Sequence, residues 1–149
     1  MNTRLSIVIP VLDEATQIGA VLQRLQAMRG RSTEIIVVDG GSGDATGAIA
    51  QPLADAVISA PRGRARQMNA GAAMARGEIL LLLHADTLLP TDADLQIRAG
   101  LQSGERVWGR FDVRIAGRAR MLRVVAAMMN SRSRLTGIAS GDQALFMTR

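Results

Sequence analysis

Four short apolar runs punctuate the first part of the chain, and each ends in a polar or glycine-rich cluster. Ser6-Ile7-Val8-Ile9-Pro10-Val11 predicts a first strand, stopped near Pro10. Glu34-Ile35-Ile36-Val37-Val38-Asp39 predicts a second, Ala56–Ser59 a short third, and the leucine run from Glu78 to His84 a fourth. Continuous apolar runs bounded by turn signals fit strands buried on both faces. Between them the spacing switches to three and four. Ile18, Val21, Leu22, Leu25 and Met28 form one stripe of a helix that starts near Asp13 or Glu14 and ends at Gly30. Asp44 is the expected N-cap of a short helix through Ala50, and Arg64–Ala75 predicts another helix, closed by Gly77. This alternation predicts an α/β fold, a mostly parallel sheet with helices on both faces.

Beyond Pro90 the pattern is looser. Asp94–Leu101 predicts a helix, with Asp92 and Asp94 as caps, and Val107–Ile115 a strand. Met121–Met129 predicts an apolar helix interrupted by Arg123. Its stripe suits core or interface packing, and the flanking arginines also suit a membrane surface; a homo-oligomer is a separate expected partner. Ala144–Met147 predicts a last strand. There is no internal repeat, linker or low-complexity tract.

The 149 residues amount to one domain, and an apolar content of 48% supports a real core. The net charge of +5 is carried by arginine alone, since the chain has no lysine. A Walker A lysine and a Schiff-base lysine are thereby excluded. No cysteine is present, which fits a reducing compartment. The N-terminus lacks the features of a signal peptide, and no stretch has the length of a membrane span. The expected location is the cytoplasm, with the inner face of the membrane as the alternative.

Asp86, in His84-Ala85-Asp86-Thr87, follows the leucine strand at its carboxyl end, where open α/β sheets bind ligands. A carboxylate there suits a divalent cation such as Mg²⁺ or Mn²⁺ held against phosphate oxygens. His84 is the only histidine. It fits either a structural role or the same ligand as Asp86. Asp39 ends another strand, before Gly40 and Gly41. It fits a turn aspartate or an acceptor for a base N–H or a ribose hydroxyl. Arg62, Arg64 and Arg66 surround a helix start, where amides and dipole favour an anion such as a diphosphate; a solvated basic face is the plainer alternative. Asp142 precedes the last strand, as a turn residue or facing a substrate cleft.

Other classes fit less well. The glycine loop does not match G-x-G-x-x-G and follows the second strand, which disfavours a dinucleotide site. A sugar nucleotidyltransferase would need a glycine-rich loop after the first strand, where Val11-Leu12-Asp13-Glu14 stands. Only Trp108, Phe111 and Phe146 could stack on bases, so nucleic acid is not an expected partner.

Taken in order, Ile7–Glu14, Glu34–Ser42, Arg66-Gln67-Met68-Asn69-Ala70-Gly71 and Leu83–Thr87 resemble the family 2 glycosyltransferases of the GT-A fold. The Pro61–Gly71 block, His84-Ala85-Asp86-Thr87 and Gly141-Asp142-Gln143 are similar to a bacterial subgroup. The resemblance implies a nucleoside-diphosphate sugar donor, UDP- or GDP-linked, a divalent cation, and transfer to an acceptor hydroxyl with inversion. It implies that Pro10, Val11, Leu12, Glu14, Asp39 and Gly40 surround the base. Arg62, Arg64, Arg66 and Asn69 would lie near ribose and phosphates, and His84, Ala85 and Asp86 would face the donor, with Asp86 and His84 toward the metal. His84 stands where the family has its first motif acid. Asp142 is the candidate catalytic acid of this chain. The family continues to a further acidic segment that supplies its usual base. The chain is therefore expected to be a truncated form or fragment, with a donor half over residues 1–90 and an incomplete acceptor half over 91–149. A catalytically inactive nucleotide-sugar-binding or interaction module is the alternative function.

Overall fold

The computed structural model describes residues 4–102, 104, 107–138 and 143–149. Among these residues six strands form one sheet: β1 (Leu5–Val11), β2 (Thr33–Asp39), β3 (Ala56–Ser59), β4 (Ile79–Leu82), β5 (Trp108–Gly109) and β6 (Leu145–Thr148). Their order is β3-β2-β1-β4-β6-β5. The first four run parallel, as the short strand–helix alternation predicts, while β6 is antiparallel to both β4 and β5.

Among the described residues five helices accompany the strands: α1 (Ile18–Arg29), α2 (Thr46–Ala50), α3 (Arg64–Met74), α4 (Ala93–Leu101) and α5 (Arg120–Thr136). Side chains alternate faces along a strand, so each central strand contributes to two cores. Leu5, Ile7, Ile9 and Val11 join Ile35, Val37, Ile79 and Leu81 in one core, with Ile18, Leu22, Leu25 and Met28 of α1 and Ile97 of α4. Val8, Ile36, Val38 and Leu80 point the other way, onto Ala70 and Ala72 of α3. Helices thus cover both faces.

Gly71 sets how closely α3 approaches. A Cβ there would lie 2.3 Å from Val8 Cγ1 and 2.9 Å from Val38 Cγ2. Pro10 sits within β1 without breaking the sheet. β1 pairs with β4 only over Leu5–Val8, and alternation turns the Pro10 nitrogen to that side, beyond the last pair.

Several elements depart from the sequence pattern. α1 begins at Ile18, not at Asp13 or Glu14, because the N–H groups of residues 13–15 bond to the loop after β2. The N-cap of α2 is Ala45, and Asp44 bonds Thr46 from one position earlier. Asp92 stands at the N-cap of α4, as expected, but without a side-chain cap bond, and Asp94 lies inside the helix. Asp92 accepts from Gln96 Nε2, and the fully buried Asp94 pairs with Arg31 and Arg98. β4 stops at Leu82 rather than His84.

The strand expected over Val107–Ile115 shrinks to Trp108–Gly109. Further along, the Asn130 side chain of α5 takes both backbone groups of Val113, at 2.9 and 3.1 Å, so that segment pairs with a helix side chain instead of a strand. α5 runs to Thr136, well past Met129, and ends at Gly137 with φ 70°. It buries only Ala126 and Ser133 and leaves Met121, Val124 and Met128 exposed, so core packing of its stripe is not what the described residues show. No helix among the described residues is long and apolar enough to cross a membrane.

Candidate functional site

The parallel strands end together. Val11 is level with Asp39, and Asp39 with Ser59. The loops after β1 and β2 are sewn to each other at this edge. Asp13, at φ 54°, donates its N–H to Ser42 Oγ at 3.0 Å and accepts the Gly43 N–H on Oδ1 at 2.7 Å. Glu14 N–H reaches Thr46 Oγ1 at 2.8 Å, and Ala15 N–H reaches Asp44 Oδ2 at 3.1 Å. Hydrogen bonds from Thr46 hold the Asp44 carboxyl below the usual carboxylate range.

Asp39 completes the network. Its Oδ1 accepts the Gly41 N–H at 3.0 Å, the Ser42 N–H at 2.8 Å and the Ser42 hydroxyl at 2.7 Å. Gly41 follows at φ 95°, a conformation that favours glycine. Asp39 therefore shapes its own turn with one oxygen and keeps the other outside these bonds.

The helix α3 starts at the same edge, after β3. Gly63, at φ 139°, is its N-cap and supplies no side-chain cap. The first-turn amides have no partner within the helix. Arg62, Arg64, Arg66 and Asn69 are all exposed, and none of the three arginines has an ion-pair partner among the described residues. Cationic forks and unpaired amides thus surround one helix end, a combination suited to a diphosphate.

One residue of this turn was not singled out by the sequence. Gln67 is 4% exposed and donates from Nε2 to the carbonyls of Val11 and Val38, both at 2.8 Å. Its Oε1 accepts the Gly63 N–H at 3.3 Å. A Cβ on Gly40 would lie 2.9 Å from Gln67 Oε1, so Gly40 leaves room for that amide. The only sequence signal was a polar residue beside the apolar positions of α3.

The exit of β4 presents the third part of the edge. His84 and Ala85 are buried, at 5% and 4% exposure, whereas Asp86 is exposed. Asp86 Oδ1 accepts from Thr87 Oγ1 at 3.3 Å. The chain that follows is tied to the α1 side: Arg24 Nε donates to the Leu89 carbonyl at 2.8 Å, and Arg31 to the Thr91 carbonyl at 2.8 Å. Among the described residues no group of three acidic, histidine or cysteine side chains could hold a metal ion. Mg²⁺ and Mn²⁺ sites built from one carboxylate, waters and substrate phosphates need no such group, and the solvent-facing Asp86 fits that kind of site. His84, enclosed beneath it, does not share that exposure.

Of the residues near the expected base pocket, Pro10, Leu12 and Glu14 are half-buried and Gly40 is buried. Val11 differs. Its side chain lies in the core, and its carbonyl is taken by the Gly40 N–H at 3.0 Å and by Gln67. It supports this edge from within the core. Asp142 lies outside the described residues.

The fold has counterparts among solved structures. A mannosyltransferase from Pyrobaculum calidifontis, in complex with GDP-Man and Mn²⁺, is 24% identical with a TM-score of 0.76, over 99% of this chain and 45% of that one. A glucosyl-3-phosphoglycerate synthase from Mycobacterium tuberculosis, in complex with Mn²⁺, UDP and glucosyl-3-phosphoglycerate, is 19% identical with a TM-score of 0.69, over 98% of this chain and 57% of that one. TarS 1-349 of S. aureus with UDP-GlcNAc is 19% identical with a TM-score of 0.67, over 78% and 36%. The chain therefore spans roughly half or less of these proteins. No curated protein matches it by sequence. The fold is thus that of the GT-A glycosyltransferases. The glycosyl transferase family 2 model matches residues 6–147, so the chain belongs to that family.

Proposed function

We propose that this chain binds a nucleoside-diphosphate sugar at the carboxyl edge of β1, β2 and β4 and passes the sugar to an acceptor hydroxyl with inversion. The observation that carries the reading is the turn at the start of α3, where Arg62, Arg64 and Arg66 are exposed and unpaired beside free helix amides. Unpaired arginines beside a helix N-terminus match a diphosphate better than any neutral ligand.

On this reading residues 1–90 form the donor half. Asp39 and the Pro10–Glu14 loop border the base, with Gly40 leaving space at the strand end. Arg64, Arg66 and Asn69 border ribose and phosphates, and Asp86 holds a divalent cation. When bound, that cation neutralises charge on the departing diphosphate. The acceptor oxygen forms the new bond to the sugar carbon as the bond to the diphosphate oxygen breaks. The hydroxyl proton passes to a carboxylate, with Asp142 the acid proposed from this chain. A cysteine-free composition suits a reducing cytosol for this chemistry.

Calorimetry with UDP and GDP, each with and without Mn²⁺, tests the reading. Binding that strengthens with Mn²⁺ is expected, and a folded chain that binds neither nucleotide would sink it. A second reading, a module that binds donor without turnover, is favoured by the buried His84, which leaves Asp86 as the one solvent-facing acid in the Leu83–Thr87 segment that leaves β4. Sugar transfer or donor hydrolysis by the same sample would reject that second reading.

A further inference from the structure

An amide buried without hydrogen bonds is costly, and Gln67 avoids that cost with three. Both Nε2 protons go to strand-end carbonyls far away in sequence, Val11 on β1 and Val38 on β2, each at 2.8 Å. Its oxygen takes the N–H of Gly63, the residue at φ 139° that begins the arginine turn. Val11 leads into the Pro10–Glu14 loop, and Val38 leads into Asp39. One rigid, planar group therefore joins both base-side loops to the phosphate-side turn.

We propose that Gln67 is a positioning residue for donor binding: it fixes the Arg62–Arg66 turn relative to the ends of β1 and β2, so that arginines and base loops meet one ligand together. The inference rests on the donor-binding reading above. No other side chain of this length does the same. Glutamate cannot donate to two carbonyls when ionised, asparagine is one methylene shorter, and methionine fills the space without donating. Gly40 belongs to the device, since a methyl group there would press on the Gln67 amide at about 3 Å.

The test compares the chain with its Gln67→Met variant, below the melting temperature of both. Calorimetry is run with UDP or GDP plus Mn²⁺, and with uridine or guanosine alone. Hydrogen exchange is followed over Gly63–Arg66. Diphosphate affinity is expected to fall about tenfold or more, as for loss of a charge-assisted hydrogen bond, while nucleoside affinity changes less than about twofold. Exchange should rise over Gly63–Arg66 and not in β1 or β2. A purely structural role would lower the melting temperature and leave the ratio of the two affinities unchanged, and that result overturns the proposal. Should the methionine variant not fold, Gln67→Glu keeps the length, loses both donors and is judged by the same ratio. A wild-type chain that binds neither ligand overturns the donor-binding reading and this inference with it. A wild type that binds, beside a variant with an unchanged ratio, overturns only the role of Gln67.

Discussion

Arg31 and Asp94 form a two-pronged ion pair, at 2.6 and 3.0 Å, between the turn after α1 and the first turn of α4. Asp94 is fully buried, and Arg98, one turn further along α4, approaches the same carboxylate at 3.5 Å. Burial pushes the Asp94 carboxyl up, but hydrogen bonds and charge from Arg31, helped by Arg98, outweigh it and hold the group below its ordinary value. The bound chain between Thr91 and Asp94 follows the Asp86 turn, so the pair also steadies the ground beside the proposed cation position.

Asp94→Ala is expected to destabilise the chain by about 2 kcal/mol in urea titrations. That is the low side for a broken buried pair, because Arg31 keeps more than a third of its side chain in water. A folded pKa below the unfolded one means stability that is present above the unfolded value and lost as pH falls through the folded one. Urea midpoints of the wild type should therefore drop below about pH 4, and those of Asp94→Asn should depend less on pH.

Gly71→Ala sets two effects against each other. Alanine improves a helix interior by about 1 kcal/mol, but the added Cβ would overlap Val8 and Val38 in a packed core, which costs about 1–3 kcal/mol. The clash distance of 2.3 Å is too short for rotamer adjustment alone, so net destabilisation is expected in urea unfolding. A neutral or stabilised variant would mean that α3 can shift away from β1.

Arg66→Ala should leave the melting temperature unchanged, since the side chain is exposed and unpaired. Its effect belongs to the ligand. Affinity for UDP or GDP should fall by about 1.5–3 kcal/mol, read by calorimetry, with nucleoside affinity untouched.

Asp86→Asn removes a charge that contacts only Thr87 within the described chain. Stability should not change. The gain in diphosphate affinity on adding Mn²⁺ should disappear, which paired titrations with and without the metal would reveal.

The parallel part of the sheet was legible because buried parallel strands are nearly pure apolar runs, and β3 matches its predicted span of Ala56–Ser59. The start of α1 was not legible. Asp13 and Glu14 look like helix-starting acids, but their amides are claimed by Ser42 and Thr46, about thirty residues on. Val107–Ile115 carries a strand's alternation, yet Asn130 competes for its backbone, and no local pattern encodes that. At the site, the arginines and Asp86 were visible because exposed charge near glycine turns is a chemical signal in itself. Gln67 was not, because its meaning comes from carbonyls 56 and 29 positions away.

The same buried amide has a further consequence for what this edge can recognise. By occupying the carbonyls of Val11 and Val38, while the loop amides occupy one oxygen of Asp39, the fold turns these strand-end acceptors on itself. What it leaves unspent at the start of α3 is N–H groups, from the backbone and from three guanidinium forks. The α3 side of the edge is thus polarised in hydrogen-bonding sense. Any molecule that settles there must arrive rich in acceptors.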